Sequence, residues 1–271
     1  MAFGPLSPKG ILMTVLICGA NGSIGTVIAR EEAKNNTVVG TYRKHDDHAK
    51  ELEKNPNIHL IQKDMFESTD MKDVVDRARE HGPIQKVYYL VGEGWNIRWD
   101  IVKLHDLQQG IKVCTEPLAS LIIECKPELA DESNLMRWVN VSGIAAMIYA
   151  GGPNKPASGG AKHLAEFYFR SASGFWTWKK NLFNNVRLGM SKRTKNFYAG
   201  YHGDKMKQIY KNDIPMGDGT NPEDVAKLLL WLNGDENRFM TGQDIVYDGG
   251  ESIRTRDNIK DTPAEEHPKY Y

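Results

Sequence analysis

Glycines recur at every third position in Gly19-Ala20-Asn21-Gly22-Ser23-Ile24-Gly25, directly behind the apolar run Val15–Cys18 and directly ahead of Thr26-Val27-Ile28-Ala29. A stretch of this kind can hold a phosphate. Glycine lets the backbone turn tightly and approach a pyrophosphate, and the start of the following helix offers N–H groups that lack intrahelical partners. The pattern predicts that Gly19, Asn21, Gly22, Ser23, Ile24 and Gly25 face a nucleotide. A tight turn without a ligand is the competing reading, in a chain that holds 25 glycines. Arg43 follows a second apolar run, Thr37–Tyr42, with Lys44 and His45 beside it and no carboxylate before Asp46. A guanidinium is a planar fork that pairs with phosphate oxygens, so Arg43 is a second candidate anion ligand.

For these groups to act together, the glycine loop must join a buried strand to a helix. Runs that read as strands are Val15–Cys18, Thr37–Tyr42, Ile58–Ile61, Lys86–Val91, Met136–Val141, Leu182–Leu188 and Gln243–Tyr247. Helical spacing falls between them: a polar stretch to Lys54, then a stretch with Met71, Val74, Val75 and Ala78 that Ser68 or Thr69 can cap. Ile101 to Ala130 is mostly helical, Ser158 to Trp178 is one long helix, and a last helix opens at Asn221-Pro222 with Asn as cap. Strands alternating with helices predict an α/β fold, a doubly wound parallel sheet with helices on both faces. Residues 1–12 read as a flexible extension, 13–250 as one domain and 251–271 as a charged, flexible tail.

Bulk composition narrows the function. Lysine plus arginine equals aspartate plus glutamate at 35 each, which argues against a nucleic-acid partner. No apolar run reaches the length that spans a bilayer, so no membrane partner is expected. The three cysteines, Cys18, Cys114 and Cys125, have no metal-ligand spacing, and neither do the eight histidines. Buried thiols in a cytoplasmic protein without a metal is the expectation.

From Met13 to Gly250 the chain resembles the short-chain dehydrogenase/reductase family. The most specific stretch runs from Asn221-Pro222-Glu223-Asp224-Val225-Ala226 through Phe239-Met240-Thr241-Gly242-Gln243 to Tyr247-Asp248-Gly249-Gly250, which is similar to that family's last helix and strand. The resemblance implies a single Rossmann domain and several roles. Asp64, with Met65 beside it, would meet the adenine, and Ser142 after the fifth strand would be the catalytic serine. Lys162 in Ser158-Gly159-Gly160-Ala161-Lys162 would be the lysine that binds the nicotinamide ribose, with Gly92, Leu188 and Gly189 also at the cofactor. Members that use NAD carry an acid at the end of the second strand. Arg43 stands there instead, which implies NADP(H). The resemblance also implies a homodimer or homotetramer through the long helix, where Leu164, Phe167 and Tyr168 follow the lysine.

The departures concern proton transfer. The family tyrosine position, four before the lysine, holds Ser158, and the position seven before it holds Lys155. The motif after the fourth strand reads Val91-Gly92-Glu93-Gly94, the supporting asparagine position holds Val113 or Cys114, and Leu188-Gly189 replaces Pro-Gly. Tyr201-His202-Gly203-Asp204-Lys205 spells Tyr-x-x-x-Lys but falls in the region of the substrate lid, where it reads as coincidence. A phenol beside an ammonium is a good acid near neutrality, and a serine is not. Three readings stay open. Lys155, Glu93 or Tyr149 donates the proton; or the substrate arrives protonated, as an iminium; or the fold serves non-redox chemistry or regulation. The expected function is an atypical NADPH-dependent reductase of a carbonyl or imine/iminium group in a small molecule.

Overall fold

In the computed structural model, residues 13–92, 100–147, 156–192 and 204–253 are described. Seven strands form one sheet: β1 (Thr14–Cys18), β2 (Thr37–Tyr42), β3 (Ile58–Gln62), β4 (Ile84–Tyr89), β5 (Arg137–Gly143), β6 (Leu182–Leu188) and β7 (Gln243–Tyr247). Their order is β3-β2-β1-β4-β5-β6-β7, and every pairing is parallel. The order reverses between β1 and β4, which opens a crevice at the carboxyl ends of these strands.

The helices of the described residues are α1 (Ser23–Glu32), α2 (Asp47–Leu52), α3 (Lys72–Arg79), α4 (Leu104–Cys114), α5 (Glu116–Glu124), α6 (Lys126–Ala130), α7 (Pro156–Trp176), α8 (Asp204–Asp213) and α9 (Pro222–Leu232). Two apolar cores result, one on each face of the sheet. Val15 and Ile17 of β1 join Ile28 of α1 and Val225, Leu229 and Leu232 of α9 on one side. Leu16 and Cys18 point the other way, into a core with Val74 of α3, Leu118 of α5 and Phe169 of α7. Alternate residues of a strand face opposite ways, so a strand covered on both sides reads as an unbroken apolar run. On the second side Trp138 stacks on Phe183 at 5.6 Å between ring centroids, and Phe169 meets Phe183 edge-on at 5.2 Å. None of the described helices is long and apolar enough to cross a membrane.

Several boundaries differ from expectation, each for a local reason. The stretch from Ile101 to Ala130, expected to be mostly helical, forms three helices divided at Thr115 and Cys125. Pro117 and Pro127 stand in the first turns of α5 and α6, where their missing N–H costs nothing, and the Thr115 hydroxyl donates to Ala161 O at 2.7 Å. Neither Ser68 nor Thr69 caps α3, which starts after Met71; the Thr69 hydroxyl instead bonds Glu116 at 3.1 Å. Asn221 occupies the cap position of α9, yet its side chain does not bond the helix N–H groups. The long helix begins at Pro156 and ends at Trp176, followed by a 3-10 turn, Thr177–Lys179, that closes on Lys180 at φ 68°. Pairing with β6 carries β5 on to Gly143, so Ser142 lies within the strand, opposite Arg187, and not after it. Glu251–Ile253 form a 3-10 turn where the tail was expected to begin.

Candidate active site

At the crevice lies a cleft of about 680 Å³, built around the glycine loop. Gly19 takes φ +88°, and a Cβ on Gly25 would stand 2.3 Å from Gly19 O, so the loop folds back on the start of α1 at a distance only glycine permits. Gly22 is the cap residue of α1 and brings no side chain to it. The first N–H groups of the helix, at Ser23, Ile24 and Gly25, are therefore left for an anion. Asn21 ties the loop sideways. Its side-chain amide donates to Lys44 O at 3.0 Å and Asp46 Oδ1 at 3.2 Å, while its backbone carbonyl meets His48 Nδ1 at 3.1 Å. Asp46 also caps α2 by accepting from Ala49 N at 3.1 Å.

Arg43 and Lys44 line the β2 end of the cleft, the Arg43 guanidinium lying 5.4 Å from the centre of the Phe66 ring. Gly92, Ser142, Gly143, Ser158 and Lys162 line the opposite end, with Leu188 and Gly189. A Cβ on Gly92 would lie 3.3 Å from Lys162 Nζ, and one on Gly143 would lie 3.7 Å from it, which places the ammonium between the exits of β4 and β5. Ser142 is buried, and its Oγ meets no partner among the described residues. A buried hydroxyl without a partner is costly unless a ligand satisfies it. Ser158 is buried one helical turn before Lys162.

The cleft thus gathers Gly19, Asn21, Gly22, Ser23, Ile24, Gly25, Arg43, Gly92, Ser142, Lys162, Leu188 and Gly189. Asp64 and Met65 do not line it. The Asp64 carboxylate accepts from Phe66 N at 2.9 Å, and Met65 is a core side chain, 5% exposed. Val113 and Cys114 are both buried at 2% exposure and also lie away from the cleft. Glu93, Tyr149, Lys155, Trp95, Trp99 and Tyr201 fall outside the described residues. Tyr89, the phenol nearest Gly92 along β4, is fully buried in the α3–α5 core; burial pushes it well above its ordinary value and it does not reach the cleft. Trp176 packs on the same core, whereas Trp178 is 88% exposed.

Sequence reasoning missed Asp46, His48, Ser191 and Glu251, which also line the cleft. Asp46 could have been found, because Asp three residues before Ala49 at a helix start is a capping signal. Nothing in spacing or periodicity points to Glu251. Among the described residues no group of three or more histidines, cysteines and acids is placed to hold a metal ion.

A parallel sheet wound in both directions, with a phosphate-binding loop at its switch point, defines a nucleotide-binding α/β protein. Residues 19–252 match the model of a family described as enoyl-(acyl carrier protein) reductase, and the chain belongs to the short-chain dehydrogenase/reductase family of oxidoreductases. The short-chain dehydrogenase/reductase eriH of Hericium erinaceus is 37% identical over 73 residues, which are 23% of this chain and 29% of that one. The short chain dehydrogenase penD of Penicillium thymicola is 29% identical over 157 residues, 55% of this chain and 54% of that one. The chain thus spans about half, or less, of the length of these curated relatives. Among solved structures, ElxO with NADP bound superposes with a TM-score of 0.77 at 21% identity, over 90% of this chain and all of that one. A short-chain type dehydrogenase/reductase from Mycobacterium ulcerans gives a TM-score of 0.78 at 23% identity, over 89% of this chain and 90% of that one. Both share the fold.

Proposed function

We propose that this chain is an NADP(H)-dependent reductase acting on a carbonyl or imine/iminium group of a small molecule. The observation that carries the reading is the two-ended cleft. One end presents Arg43 and Lys44, and the other presents Ser142 and Lys162, with the amino terminus of α1 between them. The residues fit a dinucleotide. The Gly19–Gly25 cradle leaves no room for a side chain at Gly25, the helix start favours a pyrophosphate, and the buried Ser142 hydroxyl awaits a partner. A resemblance to ElxO, whose structure was solved with NADP, supports the choice of cofactor. When bound, NADPH supplies a hydride to an electron-poor carbon.

The chain's own groups do the rest. Arg43 pairs with the 2′-phosphate through its fork, and Lys44 adds charge. Lys162 holds ribose hydroxyls through its ammonium. Ser142 donates to a carbonyl oxygen, or accepts from the N–H of a protonated C=N group, and so fixes the reacting double bond. Ser158 stands where the family carries its tyrosine, and an aliphatic hydroxyl is too weak an acid to protonate an oxyanion unaided. A C=N group that arrives protonated does not need that acid, whereas a C=O group does. Lys155 and Glu93 are the candidate donors for a carbonyl substrate. The substrate is a small molecule, the site of action is the cytoplasm, and the protein works as a homodimer or homotetramer.

Mixing the protein with NADPH and paired ketone and cyclic-imine panels tests this, with and without Ser158→Tyr. For a protonated C=N substrate, Ser158→Tyr leaves turnover near the parent's. For a ketone, turnover depends on a donor and is lost in Lys155→Ala or Glu93→Gln. NADPH left unconsumed across both panels would remove the reductase reading.

A further inference from the structure

The wall of the cleft beyond β6 is a strap, Leu188 to Lys192, fixed from two sides. From the α8–α9 side, Thr220 N donates to Met190 O at 2.8 Å, Lys192 N donates to Thr220 O at 3.0 Å, and the Tyr210 hydroxyl donates to Ser191 O at 3.1 Å. From the other side, Gly189 N donates to Tyr247 O at 3.2 Å and Met190 N donates to Glu251 Oε2 at 2.8 Å. Glu251 is itself held. Asp248, 7% exposed, accepts from Gly250 N at 2.9 Å and Ser252 N at 2.7 Å, and Glu251 N donates to Asp248 O at 3.2 Å. A Cβ on Gly189 would meet Glu251 Oε2 at 2.7 Å, so the carboxylate lies directly against the strap backbone.

The strap also reaches the reacting end of the cleft. A Cβ on Gly143 would stand 3.5 Å from Leu188 O and 3.7 Å from Lys162 Nζ, so strap and lysine meet at one glycine. An amide that donates to a carboxylate makes a shorter and stronger bond than one that donates to a neutral acceptor. Of the three strap N–H groups named above, those of Gly189 and Lys192 donate to backbone oxygens and that of Met190 donates to a carboxylate; the Lys192 ammonium separately pairs with Asp218.

We propose that Glu251 is a positioning residue for the nicotinamide end of the cofactor: by fixing Met190 N it sets the Gly189–Met190 backbone against which that end is seated. The inference rests on the NADP(H) reading of the cleft. It assigns Glu251 no contact with the adenosine end, which Arg43 and Lys44 line.

Calorimetric titration of the full chain with NADPH and, separately, with 2′,5′-ADP tests it. The second ligand carries the 2′-phosphate and adenosine but no nicotinamide. Glu251→Ala should weaken NADPH by about tenfold, the loss expected of one hydrogen bond to a charged group, and leave 2′,5′-ADP unchanged. Glu251→Gln keeps an acceptor oxygen and should stay within about threefold of the parent for both ligands. Circular dichroism and thermal melting confirm that each variant is folded. Unchanged NADPH affinity in Glu251→Ala, equal losses for both ligands, or a Glu251→Gln variant as weak as Glu251→Ala would each overturn the role of Glu251. Failure of the parent to bind either ligand would instead remove the cofactor reading, and this inference with it.

Discussion

Gly92 leaves the space that Lys162 fills: a Cβ at residue 92 would lie 3.1 Å from Lys162 Cε and 3.3 Å from its Nζ. A methyl group at that distance obliges the end of a flexible side chain to shift by a few tenths of an ångström, and a branched side chain obliges it to leave. Gly92→Ala should therefore cost little NADPH affinity. Gly92→Val should approach Lys162→Ala, which forfeits hydrogen bonds from a charged donor and weakens NADPH by roughly ten- to a hundredfold. Fluorescence titration of bound NADPH reads all three. An unaltered Lys162→Ala would mean that the ammonium does not touch the cofactor.

On the proposed reading, Arg43 governs the choice between cofactors. Arg43→Ala should weaken NADPH by roughly ten- to a hundredfold and leave NADH within about twofold, because only the former carries the 2′-phosphate. Raising the salt concentration should weaken NADPH more than NADH in the parent. Parent protein that binds NADH as tightly as NADPH would sink the assignment.

The outer face of α7 carries Phe167 at 63% exposure and Phe175 at 68%, two turns apart on one side, with Trp178 just beyond. The neighbouring α4 adds Leu104 at 70%. Large apolar side chains left exposed on these helices support the proposed homo-oligomer. Light scattering at micromolar concentration should give a dimer or tetramer, and Phe167→Glu with Phe175→Glu should shift it toward monomer. A parent that scatters as a monomer would count against the assembly.

His59 and His81 stack with ring centroids 3.9 Å apart and planes 18° from parallel. Burial, and then the charge of His81, lowers the His59 pKa below its ordinary 6.5. Between that lowered value and 6.5 the unfolded chain binds more protons than the folded one. The contribution of His59 to stability is thus full at neutral pH and falls as pH drops below about 6.5. His81→Asn should raise the His59 pKa part of the way back, since burial remains, and flatten this slope. Ring-proton shifts followed across the titration would show it, and an unmoved midpoint would mean that the two rings do not interact.

Much of this protein is legible in its sequence because the relevant signals are local. β2, β6 and β7 have the bounds expected of them, since each gathers β-branched or aromatic residues, among them Val38, Val39, Phe183, Val186, Ile245 and Val246, in a run of strand length. The glycine spacing locates the cradle, because close backbone approach at Gly25 depends on that residue's own missing Cβ. Lys162 and Ser142 line the same cleft. Tertiary structure decided what depends on partners remote in sequence. Met190 and Glu251 meet across 61 residues, and Asn21 and Asp46 across 25. A carboxylate carries no periodicity of its own, so its role is set by whichever N–H the fold brings to it. Met65 follows the same rule: beside Asp64 it reads as a cofactor contact, and packing of α3 against the sheet turned it into the core.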